Sequence, residues 1–194
     1  MKVIKNFGLM FVDSAKSFKS LSRLMLISLF TALIVVGGII KIPIVPGALE
    51  IRFSFIFMSA TAFIFGPVVG CTAGIISDLL AYIINPSGAF HIGFTLNAAL
   101  TGIIYGIFLY KKNPNSRYFI IFIVLSKAFV NFAINIVLTP IWLFGLFGSA
   151  GRMITLVRLY KNITVLPFEI IIMLIVLKTI STILEKSRFL EKNN

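Results

Sequence analysis

Asp78 is the side chain whose position most needs a chemical reason. It lies in the apolar run G-C-T-A-G-I-I-S-D-L-L-A-Y, and a carboxylate in hydrocarbon costs at least a few kcal/mol unless it faces a polar cavity or a partner. A structural pair with Arg52 and a contact with a ligand are both open to it, and Arg52 could itself serve a ligand. A second group is Arg152, Arg158 and Lys161, gathered in G-R-M-I-T-L-V-R-L-Y-K. Three cations there fit a solvated loop or outer-leaflet lipid. They equally fit a clamp for a carboxylate, which guanidinium and ammonium groups hold through charge-assisted hydrogen bonds. Asn131 and Asn135 are four apart, so they share a helix face and must point inward, toward neighbouring helices or a substrate. Asn97 offers the same choice. The connection N-P-S-G-A-F-H-I-G-F-T carries Phe90 and Phe94; such rings stack on a flat heterocycle or mark a membrane interface.

Other reactive types carry less. His91 has no cluster of His, Cys or carboxylates around it, so no metal is expected. Cys71 is the single cysteine and reads as core packing. Glu169 follows Pro167 and reads as a structural counter-ion, while Lys127 falls inside a span. The chain holds no G-x-x-x-x-G-K-[ST], G-x-S-x-G or H-E-x-x-H, so neither ATP hydrolysis nor any other enzymatic activity is expected, and no cofactor.

The elements that must position these groups are membrane helices. Of 194 residues, 59% are hydrophobic and 12% charged, with a mean hydropathy of +1.05; a soluble domain carries about a quarter charged residues. The fold class is an all-α membrane protein, a bundle of six transmembrane helices with a short N-terminal interfacial helix. Apolar runs place the spans at about 21–40, 51–66, 67–84, 94–110, 118–146 and 164–184. Residues 1–20, with Lys2, Lys5, Lys16 and Lys19 opposite Ile4, Phe7, Phe11 and Phe18, form the interfacial segment. Residues 21–186 form the binding domain and 187–194 a tail. Gly66-Pro67 makes a tight corner between two spans, and Pro140 kinks or breaks the fifth. The net charge of +12 matches loops facing anionic lipid, so nucleic acid is not expected as a partner. Twelve Lys and Arg fall on the side of both termini, against five at Lys41, Arg52, Arg152, Arg158 and Lys161. Both termini are therefore expected in the cytoplasm, with an outward loop at 147–163.

The chain resembles the substrate-binding S components of energy-coupling factor vitamin transporters, the folate-type family most closely. The resemblance rests on D-S-A-K-S-F-K, I-R-F-S-F, G-P-V-V-G-C-T-A-G-I-I-S-D-L-L-A-Y, P-S-G-A-F-H-I-G-F-T, L-T-G-I-I-Y-G, and R-M-I-T-L-V-R-L-Y-K with a later P-F-E, in that order. It implies a six-helix subunit that binds vitamin at its outer face. That subunit then joins a transmembrane coupling subunit and two cytoplasmic ATPases. Small residues on the first span meet the coupling subunit in that family; here Ser28 and Ala32 stand where an alanine pair is commoner. For folate, Phe90 and Phe94 would stack on the pterin, Asp78 with Asn97 would pair with its N–H donors, and Arg152, Arg158 and Lys161 would hold the two carboxylates. Arg52 and Asn135 complete the candidate substrate contacts. Pantothenate is another anionic vitamin to weigh. A stand-alone ion-coupled transporter using Lys127 and Asp78 is the reading from a different class.

Overall fold

The structure, a computed structural model, describes residues 2–45, 49–86, 90–148 and 150–192, apart from the side chains of 2–6, 41–45, 49–51, 147, 150–158, 161 and 185–192. Helix α1 (Lys2–Lys16) and a 3₁₀ turn lead into α2 (Leu21–Ile39). A two-stranded antiparallel hairpin follows, β1 (Lys41–Val45) with β2 (Leu49–Arg52), in which Lys41 pairs with Arg52 and Ile42 with Ile51. Then come α3 (Ser54–Phe65), α4 (Pro67–Ile84), α5 (Ile92–Leu109), α6 (Phe119–Phe129), a π-helical stretch (Val130–Leu138), α7 (Thr139–Phe147) and α8 (Ala150–Lys192).

Five helical stretches among the described residues are long and apolar enough to cross a bilayer: Leu21–Ile39, Pro67–Ile84, Ile92–Leu109, Phe119–Leu146 and Asn162–Leu184. The expected second span is present as a shorter apolar helix. Helix α3 has 12 residues, about 18 Å of rise against roughly 30 Å of hydrocarbon. Its expected start went to the hairpin, where Ile42 and Ile44, and Leu49 and Ile51, alternate with Lys41, Pro43, Glu50 and Arg52, the period of a strand. What remains of α3 is apolar on all sides and buried from Met58 to Phe63, so it forms the centre of the bundle.

The Gly66-Pro67 corner is as expected. Gly66 has φ +90°, and Pro67 opens α4. A Cβ at Gly66 would lie 2.8 Å from Ser14, because α1 comes in underneath. Ser14 is fully buried, and its Oγ accepts from the N–H groups of Val68 (3.0 Å) and Val69 (3.2 Å). It thus caps α4 from another helix. Asp13 beside it bonds Lys111 at 2.6 Å and Lys16 at 3.3 Å. Lys111, and secondarily Lys16, hold its carboxyl below the usual carboxylate range.

Past the corner, α4 and α5 run antiparallel with their backbones touching. A Cβ on Gly106 would collide with Pro67, one on Gly102 with Gly70, and one on Gly74 with Ala98; small residues allow this close approach. Four residues beyond Gly74 the next rung of that seam is Asp78 of α4, facing Thr95 of α5.

Pro140 distorts the chain upstream of itself. The helix continues through it, but residues 130–138 widen into a π-helix, and the Thr139 N–H reaches back to Ile134 O. A proline lacks the N–H and crowds the carbonyl four residues earlier, so a wider turn relieves both faults. Residues 147–163, expected as a loop, are corrected. Apart from the turn at Gly148, the chain is helical from Ala150 onward. Met153, Leu156, Val157 and Tyr160 carry helical spacing. At 43 residues, α8 is about 64 Å long, so its ends extend past its apolar segment.

Candidate functional site

Chain order brings three connections to one end of the bundle: the hairpin after α2, the segment between α4 and α5, and the Gly148 turn between α7 and α8. Arg52 ends β2 there, Asp78 and Tyr82 lie toward the end of α4, and α5 opens there with His91, Phe94, Thr95 and Asn97. The first turns of α8, with Arg152, Arg158 and Lys161, start from the same end. Their side chains lie outside the described residues. By helical register, Arg158 and Lys161 are about one turn apart on one face, whereas Arg152 belongs to another.

Asp78 is half-buried, and its Oδ2 accepts from Thr95 Oγ1 at 2.7 Å. Asn97 is buried and committed elsewhere. Its Nδ2 donates to Thr139 Oγ1 at 3.0 Å, and its Oδ1 accepts from Trp142 Nε1 at 3.2 Å. Thr139 passes its own proton to Ile134 O at 2.8 Å. Asn97 therefore locks α5 to α7, the helix contact that was one of the two roles open to it.

His91 caps α5, with Nδ1 accepting from Gly93 N at 3.1 Å. Its ring centroid lies 5.6 Å from that of Trp142 and 5.9 Å from that of Phe94. A Cβ on Gly93 would strike the indole at 2.5 Å, so Trp142 is held by Asn97, Gly93 and His91 together. Phe90 is 45% exposed and meets Tyr82 edge-on at 5.2 Å. Both expected aromatic residues thus sit at this end, each already paired with a ring that sequence reasoning did not assign to the site. Asn135 Nδ2 donates to Asn131 Oδ1 at 3.1 Å, and Asn131 Nδ2 to Asn162 O at 3.5 Å. That ties the π-helical stretch to α8.

Deeper in the bundle Lys127 pairs with Glu169 at 3.1 Å, so Glu169 is the counter-ion expected and Lys127 is not paired with Asp78. Among the described residues no group of three or more His, Cys, Asp or Glu could hold a metal. Sequence reasoning did not single out Thr95, Thr139 and Trp142 as the partners of Asp78 and Asn97. Thr and Trp are unremarkable in a membrane helix, and the only signal was their distance along the chain from Asp78 and Asn97 modulo a helix pairing not yet known. Ser28 and Ala32 are exposed on α2 beside Leu24, Met25, Leu29 and Val36, which are also exposed.

The sequence pattern of a family described as the substrate-specific component of ECF transporters matches residues 22–177. A folate transporter, FolT, of Clostridium novyi strain NT is 32% identical over 124 residues, covering 64% of this chain and 70% of that one. FolT of Leuconostoc mesenteroides is 28% identical over 136 residues, 67% of this chain and 71% of its own. Among solved structures, FolT bound with folic acid superposes with a TM-score of 0.70 at 30% identity, over 79% of this chain and 91% of that one.

Proposed function

The chain belongs to the substrate-specific components of ECF transporters, and on that premise we propose that it captures folate at the Asp78 end of the bundle. As a member of that family it is a multi-pass membrane transport component and not an enzyme. The observation that carries the folate reading is the Asp78–Thr95 pair, a carboxylate acceptor at the end of the bundle that also carries Tyr82, Phe90, His91 and Phe94. A pterin needs both an acceptor for its N–H edge and flat apolar surfaces. The likeness to a folic-acid-bound FolT over most of both chains supports it.

In this reading α3 counts as a sixth, shortened segment of the bundle, and both termini face the cytoplasm. Ligand enters from outside. Arg52 and Asn135 lie toward the same end as Asp78, and the basic first turns of α8 supply Arg158 and Lys161 from one face and Arg152 from another for the glutamate carboxylates. The chain has no phosphate-binding loop, so the energy comes from partners: a transmembrane coupling subunit and two cytoplasmic ATPases. Ser28 and Ala32 lie on the exposed face of α2 that would meet the coupling subunit.

Titrating purified protein with folate and with pteroate, which ends before the glutamate, tests the carboxylate contacts. Arg152→Gln, Arg158→Gln and Lys161→Gln should each weaken folate by roughly ten- to hundredfold, the range for a lost charge-assisted contact, with less where water reaches the pair. Arg158 and Lys161 should act together, and pteroate, which keeps a single benzoate carboxylate, should lose much less. No loss at any of the three would remove them from the site, and equal losses for both ligands would assign them to folding.

A further inference from the structure

We propose that Thr95 is a positioning residue that sets the Asp78 carboxylate to receive the paired N–H donors of the ligand's heterocycle, an inference that rests on the folate reading above. The two residues have little freedom in where their backbones lie. One turn away, Gly74 packs on the Ala98 carbonyl, and a turn further Gly70 packs on Gly102, with no room for a Cβ at either contact. The rung that follows is therefore held in register by the backbones themselves.

Thr95 is 9% exposed, and its single hydroxyl proton goes to Asp78 Oδ2 at 2.7 Å, the length of a charge-assisted O–H···O⁻ bond. That bond takes one lone pair. An ionised carboxylate is acceptor-only and keeps two coplanar oxygens with further lone pairs. Two adjacent parallel donors, a ring N–H and an exocyclic amino group, match that geometry, and a 2-amino-4-oxopteridine presents them.

The neighbouring polar groups are occupied. Ser77 donates to Gly74 O at 3.0 Å, and the Asn97 amide is spent on Thr139 and Trp142. Thr95 need touch no ligand atom. Its hydroxyl keeps the carboxylate in one orientation, so the ligand does not bear the cost of ordering it.

The test is folate binding by the full-length protein in detergent, with a folate analogue lacking the 2-amino group as second ligand. Thr95→Val, which keeps the shape, should weaken folate about tenfold, while Thr95→Ser stays within about threefold. The Val penalty should shrink for the 2-deamino analogue, and in an Asp78→Asn background it should vanish, since residues acting through one group are not additive. Folate bound by Thr95→Val as tightly as by the unaltered chain would overturn the inference. So would equal losses for both ligands, or a full penalty that persists in Asp78→Asn. Absence of folate binding by the unaltered chain would instead overturn the folate reading itself.

Discussion

Lys127 is 3% exposed, yet it stands in a membrane-spanning segment and closes a 3.1 Å ion pair with Glu169. Its Nζ also lies 4.1 Å from the centroid of the Phe55 ring. The pair ties α6 to α8, and the ring contact adds α3. Each charge is tolerable only because the other is present; removing one partner of a buried pair typically costs about 3–5 kcal/mol, whereas replacing both with apolar groups is often neutral. Lys127→Met and Glu169→Gln should therefore each lower the melting temperature of the purified protein, and Lys127→Met with Glu169→Met should recover most of the loss. A double variant as unstable as the worse single one would mean that the two side chains matter separately. Both residues are conspicuous in the sequence as charges in apolar runs. Their partnership was not legible, because an isolated charge does not specify which helix faces it.

At the scale of elements, α1 is more than an amphipathic helix lying on a surface. Ser14 caps α4 across the corner, and Asp13 reaches Lys111 after α5. Ser14→Ala should cost about 1 kcal/mol, the usual value of a cap, and should speed hydrogen exchange at the Val68 and Val69 amides. The Asp13 carboxyl is held below its ordinary value by Lys111 and Lys16, so its contribution is complete above about pH 5 and is lost only as pH falls through a value under 3.8. After correction for intrinsic rates, protection of those two amides should stay constant from about pH 8 to 5 and decline in stronger acid. Asp13→Asn should show the weaker protection throughout. Helix α2 supports a different prediction. Ser28 and Ala32 are exposed on one face four residues apart, where only small side chains let another helix approach closely. Ala32→Trp or Ser28→Trp should impair folate uptake while leaving binding to the isolated protein nearly intact; equal loss of both would place these residues in internal packing instead.

For the whole molecule, the Lys and Arg distribution predicts that the Asp78 end faces outward. A cysteine introduced near position 149, with Cys71 replaced, should react with an impermeant maleimide added to intact cells; reaction from the cytoplasmic side alone would reverse the orientation. The sequence by itself determined that the chain lives in lipid, where its long helices lie, and the sharp corner at Gly66-Pro67. It could do so because a chain in hydrocarbon must satisfy its backbone hydrogen bonds internally, so each long apolar run becomes a helix and each turn residue marks an end. Asp78, Asn97 and the two phenylalanines were also visible as residues in want of a role. Only the tertiary structure decided that Asp78 faces Thr95 and that Asn97 is spent on Trp142. Those outcomes depend on the crossing and register of helices distant in sequence, set by close contacts such as Gly70 on Gly102. In a chain so uniformly apolar, hydrophobic pattern barely distinguishes one rotation of a helix from another.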